Sequence, residues 1–318
     1  MDDNLYVLKQ FSAKQDIDKL IFMDVSIVIV SYNTCNLTLQ CLHSIYKETN
    51  GLGFEIIVVD NASSDDSVSC IRERYPAVVV IESKTNLGFG KANNLGAKIA
   101  RGKYLFLLNS DTVLMDNAIF SLYKYMELLP EDSKIACCGT SLLDHNKKTA
   151  NSGGCFPSLF QEFSDLGFRY LYPSFYRNKL AVNRTFSGTT EVEVDYVIGA
   201  DMFINKSVFD QLNGFDEHFF MYYEETDFFF RFKEMRYKAL IIPTLHIIHL
   251  EGASFKGKSQ FKASRVEMFF KSKVLYYTKH KGHISTNIMK LLSLGGSLVR
   301  LYKYKSHIFQ MMMIIIKS

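Results

Sequence analysis

The chain contains no tryptophan, only five prolines and no two cysteines in CxxC spacing. So few prolines leave no Pro-rich spacer, and nothing in the composition suggests a disordered segment or an internal repeat. The six cysteines, at positions 35, 41, 70, 137, 138 and 155, lack metal-site spacing and do not make a disulfide framework. Cys137 and Cys138 fall in an apolar run and read as part of a buried strand. Free thiols in a reducing cytosol are the expectation. The first residues, Met1-Asp-Asp-Asn4, are acidic, unlike a signal peptide. No apolar run is long enough to cross a bilayer.

What is present is material for a large core. The chain has 318 residues, 47% of them hydrophobic, which fits one large α/β domain with an appendage, or two domains. Charge is low overall but segregated. Lys256 to Ser318 carries 13 Lys/Arg against one acid, Glu267, while the preceding 255 residues carry 24 Lys/Arg against 32 acids. An acidic body with a basic tail points to an anionic surface as the tail's partner.

Two apolar runs end alike, Glu55-Ile-Ile-Val-Val-Asp60 and Tyr104-Leu-Phe-Leu-Leu-Asn-Ser-Asp111. Runs of this length between polar turns read as strands buried on both faces. Helix-like segments separate them, so the strands are expected to be parallel, with both carboxylates at one edge of the sheet, where open α/β sheets bind ligands. Paired acids there suit a divalent cation and a phosphate-bearing substrate. Val25–Val30 is a first strand and Val78–Ile81 a third. Ser31-Tyr-Asn33 stands where a dinucleotide site would have a glycine-rich turn. Residues 151–190, rich in Phe, Tyr, Gly and Ser without clear period, read as a long ordered loop. Ala239–Ile242 and His246–His249 read as two short strands.

Four groups carry chemistry. Asn109-Ser-Asp111 ends a strand, and Asp60 repeats the placement. Glu224, Glu225 and Asp227 crowd three acids at a helix start. Asp227 and Arg231 suit an i,i+4 pair, whereas acids among aromatic rings have raised proton affinity and suit a general base. His246 and His249 are three apart, so on a strand at most one faces the site. The glycines of Asn86–Gly96 do not match GxGxxG; turn formation and close approach to a nucleotide or sugar both remain open.

Taken in order, Val28-Ile-Val-Ser-Tyr-Asn33, Val58-Val-Asp-Asn-Ala-Ser-Ser-Asp65, Asn86-Leu-Gly-Phe-Gly90, Leu107-Leu-Asn-Ser-Asp111, Gly214-Phe-Asp-Glu217, Glu224-Glu-Thr-Asp227 with Arg231, and His249 resemble the family 2 glycosyltransferases, most of all their bacterial rhamnosyltransferase-like branch. The resemblance runs from about Val25 to Ser254. It implies a GT-A fold: a Rossmann-like, mostly parallel central sheet flanked by helices, here with a C-terminal helical, basic extension. It implies inverting sugar transfer from a nucleotide diphosphate donor, dTDP-rhamnose or a UDP-sugar, to a saccharide acceptor, lipid-linked, in cell-surface polysaccharide synthesis.

Carried over by residue, Glu225 would be the catalytic base, with Glu224, Asp227 and Arg231 completing the acidic motif. Asp60 would contact the nucleoside, Ser31 and Asn33 would bind the nucleotide-sugar beside it, and Asn86 and Lys91 are candidate donor contacts. Asn109-Ser-Asp111 occupies the DXD place, and Asp111 with His249 would hold Mg²⁺ or Mn²⁺. Asn109 leaves one carboxylate fewer on the metal. The implied division is a lead-in over 1–24, a transferase domain over 25–255 (a nucleotide-sugar half, 25–115, and an acceptor half, 116–255) and a tail over 256–318. The tail's apolar stripe, Ile288, Leu291, Leu292, Gly295, Leu298 and Val299, is expected to dock on the inner face of the cell membrane, making a cytoplasmic, peripheral protein; the alternative is a helix packed on the body with its lysines solvated. Gly295-Gly296 is where that helix would divide.

Other classes fit less well. A sugar nucleotidyltransferase also wants metal-bound phosphates and is the nearest rival. A non-catalytic nucleotide binder of the same fold has no need of Glu225 and Asp111. A nicotinamide oxidoreductase would need the missing glycine turn, and a nucleic-acid binder would need a motif that the tail lacks.

Overall fold

The computed structural model describes residues 23–250, 263–299 and 308–317. The lead-in up to residue 22 and the basic stretches 251–262 and 300–307 lie outside the described residues.

The first half alternates strand and helix: β1 (Val25–Ser31), α1 (Cys35–Glu48), β2 (Phe54–Asp60), α2 (Ser67–Arg74), β3 (Val79–Glu82), α3 (Phe89–Ile99) and β4 (Tyr104–Asn109). The strands lie in the order β3-β2-β1-β4, all parallel. The apolar runs of β1, β2 and β4 are buried on both faces, as unalternating sequences require, while β3 at the edge stays partly exposed. Ile27 and Ile29 face Leu42 and Ile45 of α1 in one core, while Val28, Ile57 and Val59 join Ala92 and Ala97 of α3 in another. Each such side chain contributes about 1.5–3 kcal/mol by leaving water. The fit under α3 is close: a Cβ on Gly96 would lie 2.4 Å from Val28 Cγ1.

The second half runs β5 (Thr112–Leu114), α4 (Ala118–Glu127), β6 (Ile135–Leu143), the two-residue β7 (Gly153–Gly154), α5 (Leu159–Ser164), α6 (Pro173–Lys179), β8 (Val192–Val194), β9 (Tyr196–Val197), β10 (Asp201–Asn205), α7 (Lys206–Gln211), α8 (Glu224–Glu234) and β11 (Lys238–His249); β5, β6, β8, β10 and β11 extend the same sheet, while β7 and β9 pair antiparallel in a small sheet of their own. Strand β10 inserts antiparallel between β4 and β6, and β11 runs parallel to β6 and antiparallel to β5 and β8. Helices α9 (Ala263–Val299) and α10 (Ile308–Lys317) follow and pack on each other. The proximal part of α9 lies on the body, where Tyr276 and Tyr277 form a small core with Phe219 and Met289.

Three expectations change. Residues 151–190 are not one long loop, because α5, a 3₁₀ turn (Phe168–Leu171) and α6 occupy most of their centre. These helices span only six and seven residues, too short for a 3.6 period to emerge, and much of their aromatic content faces outward. The two short strands near His246 are one strand, β11, whose pairing with β6 shifts between Ile242 and His246, around Pro243. Proline lacks the ladder's N–H, so a bulge forms there without ending the strand. The break in α9 falls at Gly282 (φ +79°), not at Gly295-Gly296. Nothing lies within 4 Å of a Cβ at Gly282, so the left-handed turn is free there, whereas the glycine pair stays helical against Leu166.

Candidate active site

The C-terminal ends of β2, β1 and β4 are stitched together by short polar side chains. Asp60 Oδ2 accepts from Ser63 N–H at 3.0 Å, Ser63 Oγ accepts from Asn33 N–H at 2.9 Å, and Asn33 Oδ1 accepts from Ser64 N–H at 2.7 Å. Thr34 Oγ1 then meets Ser110 Oγ at 3.2 Å, which ties the β1 end to the β4 end. Ser31 turns its hydroxyl inward to Thr34 and Thr38. Ser31 and Asn33 therefore hold the loops in place. Asp60 Oδ1 is buried and has no partner among the described residues, leaving an acceptor for a ligand's hydroxyl or N–H.

Asn86 and the glycines beside it serve the same edge. Asn86 Oδ1 accepts from Asn61 Nδ2 and from Gly88 N–H. Gly88 has φ +80°, and its built Cβ would strike the Phe220 carbonyl at 2.0 Å. The close approach this loop makes is to the protein's own backbone. Lys91 pairs with Glu217 at 3.0 Å on the surface.

The β5–β11 ladder sets the second cluster. His249 lies in register with Thr112, and Leu250 N–H donates to the Asp111 carbonyl. The His249 ring thereby comes to Asp111: Nε2 is 3.3 Å from Oδ1 of Asp111 and 3.4 Å from Nδ2 of Asn109. His246, three residues earlier in the same strand, points to the other face. Among the described residues no group of three or more His, Cys, Asp or Glu side chains converges on one point. The donors at hand, a carboxylate and an imidazole, still suit Mg²⁺ or Mn²⁺.

An acid that the sequence analysis passed over lies nearby. Asp201 opens β10 and is fully buried; Oδ2 accepts from Thr140 N–H and Oγ, while Oδ1 has no partner among the described residues. Burial pushes its carboxyl up to about 7. Its signal was a single acid inside the apolar run Val197–Ile204.

The acidic motif starts α8. Tyr222 and Tyr223 precede it, both at positive φ (69° and 66°). Such backbone costs roughly 1–3 kcal/mol per residue and marks a turn over-determined by its surroundings. Glu224 and Glu225 each leave a buried oxygen without a partner among the described residues. Burial raises both carboxyls, and the charge of Glu225 raises Glu224 further; the N–H groups of Glu225 and Thr226 partly offset this at Glu225. Asp227 pairs with Arg231 at 2.9 Å, as its spacing suggested. Arg231 also donates to the carbonyls of Leu212 and Gly214, clamping the turn before α8.

Glu225 lines a cavity of about 660 Å³ between α8, α5 and α9. Tyr196, Tyr222 and Phe269 supply rings, and Gln161, Asp165 and Asn183 supply polar groups. Lys273 and Glu162 form a buried ion pair in its wall at 2.7 Å. Nothing in the sequence marked this pair, because its members are 111 residues apart.

Residues 26–184 match the family described as Glycosyl transferase family 2. Among curated relatives, a poly(ribitol-phosphate) beta-glucosyltransferase of Bacillus spizizenii is 36% identical over 32% of this chain and 17% of its own length. An N-acetylglucosaminyl-diphospho-decaprenol L-rhamnosyltransferase of Mycobacterium tuberculosis is 24% identical over 61% of this chain and 66% of its own. The chain thus spans less than two thirds of the length of these relatives. A solved mannosyltransferase from Pyrobaculum calidifontis, in complex with GDP-Man and Mn²⁺, superposes with a TM-score of 0.54 at 13% identity, over 94% of this chain and 83% of that one. The fold is GT-A, and the chain belongs to glycosyltransferase family 2.

Proposed function

We propose that the protein moves a sugar from a nucleotide diphosphate donor to a saccharide acceptor with inversion, using Glu225 as base. One observation carries this reading: Glu225 presents a buried, unpartnered carboxylate oxygen in the wall of the aromatic-lined cavity. Burial raises its proton affinity, which suits a group that must take a hydroxyl proton during attack. Aromatic rings beside amide and carboxylate groups suit a sugar's apolar face and hydroxyls.

On the donor side, Asp60 would bind the nucleoside through its open oxygen, and Asp111 and His249 would hold the divalent cation. A bound cation would neutralise charge on the leaving diphosphate. Asn109 would orient His249. The acceptor hydroxyl enters from the cavity, opposite the leaving group, so inversion needs no covalent intermediate. For the acceptor we favour a lipid-linked saccharide in cell-surface polysaccharide assembly, reached by a cytoplasmic enzyme peripheral on the inner membrane face. The relative that acts on a decaprenol-linked sugar supports that choice.

The test is a panel of dTDP-, UDP- and GDP-sugars with Mg²⁺ or Mn²⁺ and a lipid-linked acceptor mixture. Acceptor-dependent release of nucleoside diphosphate is expected. Conversion of a nucleotide sugar and added pyrophosphate into nucleoside triphosphate and sugar 1-phosphate, with no acceptor, would instead identify a nucleotidyltransferase. Tight nucleotide binding without turnover on any pair would favour a binding protein.

A further inference from the structure

Helix α5 is inside out. Gln161, Glu162 and Ser164 are buried, while Phe160 and Phe163 on its other side are 48% and 38% exposed. In water the polar face should point outward; the reverse arrangement suits a helix whose outer surroundings are apolar. The segment that follows continues the pattern. Phe168, Tyr170, Leu171 and Phe175 are 41–78% exposed, and the rings pack on one another, Phe163 on Phe168 at 4.3 Å and Phe160 on Tyr172 at 5.9 Å. Six large apolar side chains thus share one outward surface within 16 residues, more than scattered exposure explains.

Charge selects what covers it. Both acids of this segment are spent inward: Glu162 on Lys273 and Tyr277, Asp165 on Arg169, Gln161 and Tyr176. Arg177 and Lys179 are exposed and make no ion pair with a described residue. Phe, Tyr and Leu with outward cations compose a surface for the bilayer interface, where rings sit at headgroup level and cations meet anionic lipid. A second copy of this chain would bring like charges together.

We propose that the α5–α6 segment is a membrane-docking platform for an anionic lipid surface, additional to the basic tail. The inner side of α5 supplies Gln161 and Glu162 to the cavity that Glu225 lines, so docking would bring that cavity to the bilayer. This part of the inference rests on the proposed acceptor reading; the docking itself does not.

The experiment is flotation of the full chain with phosphatidylglycerol/phosphatidylcholine vesicles, beside calorimetric titration with UDP and dTDP. The wild type should float at low salt and be released at high salt. Tyr170→Ser/Leu171→Ser/Phe175→Ser and, separately, Arg177→Glu/Lys179→Glu should weaken vesicle binding about tenfold or more, with nucleotide binding unchanged. The substituted side chains are largely exposed, so folding should survive, and nucleotide binding reports it. Variants that float like the wild type, or a wild type that does not float, overturn the platform. A wild-type dimer abolished by the triple variant, without flotation, makes the surface an interface between copies and overturns it too. Flotation without binding of either nucleotide would leave the platform standing and count against the transferase reading.

Discussion

His280 reaches from α9 to place its Nε2 2.7 Å from Oδ1 of Asp227, a carboxylate with no solvent exposure at the start of α8. Lys279 adds a second contact to the same oxygen at 2.6 Å and reaches Asp216 at the same distance. Helix α9 is therefore latched to the acidic motif, and Asp227 is bound from both its own helix and α9.

Removing one partner of a buried charge leaves the other uncompensated, which costs about 3–5 kcal/mol. Asp227→Ala should lower stability by that order, and His280→Ala by less, since Arg231 and Lys279 remain. Urea unfolding of the full chain measures both. A His280→Ala midpoint equal to wild type would mean that the latch contributes nothing.

Stability should fall in acid, and Asp227 should account for part of the fall. Burial alone would raise its carboxyl, but hydrogen bonds from His280 and Lys279 and the charge of Arg231 hold it below the ordinary aspartate range. A group depressed in the folded state contributes stability that is full above its unfolded value, about 3.9, and lost as pH falls through the folded one. The Asp227 share of stability, read as the difference between wild type and Asp227→Asn, should stay level from neutrality to about pH 5 and shrink below about pH 4. Asp227→Asn, already weaker at neutrality, should show a shallower acid decline.

Glu225→Gln should separate activity from stability. Sugar transfer should fall by about 10²–10⁴-fold, with nucleotide binding retained. The raised carboxyl is one whose charged form the fold disfavours, so stability is lost as pH rises through the folded value. The neutral amide escapes this, and the variant should melt at or above the wild-type temperature in neutral buffer. Near-normal turnover would shift the role of base to Glu224.

Asp111→Ala and His249→Ala should each weaken UDP or dTDP binding in Mn²⁺ or Mg²⁺, and His246→Ala should not. With two protein donors among the described residues, Mn²⁺ alone should bind weakly and tighten when nucleotide is present. Manganese relaxation with and without UDP checks this. Equal losses from both histidines would contradict the assignment of the two faces of β11.

Lys273→Met should destabilise by about 3–5 kcal/mol by stranding Glu162. The double change Glu162→Gln/Lys273→Met should recover most of that. If the single variant is as stable as wild type, water must already solvate Glu162 through the cavity.

The strands were legible because burial on both faces writes an uninterrupted apolar run, and β1, β2 and β4 need nothing beyond their neighbours to declare themselves. The ends of those runs named Asp60 and Asp111 for the same reason: parallel strands share one edge. The i,i+4 spacing likewise gave Asp227–Arg231. What sequence could not supply was pairing across distance. His249 meets Asp111 only because β5 and β11 form a ladder, and His280 meets Asp227 only because α9 packs back over α8. The Lys273–Glu162 pair and the cavity around Glu225 come from the same packing. The helices α5 and α6 stayed hidden because α5 is inverted in polarity, α6 buries no residue, and each is under two turns long. Local chemistry fixes strand, turn and helix start; which charges are buried together, and which aromatic surface is left outside, depends on free energy shared among segments far apart in the chain, and only the tertiary structure decides it.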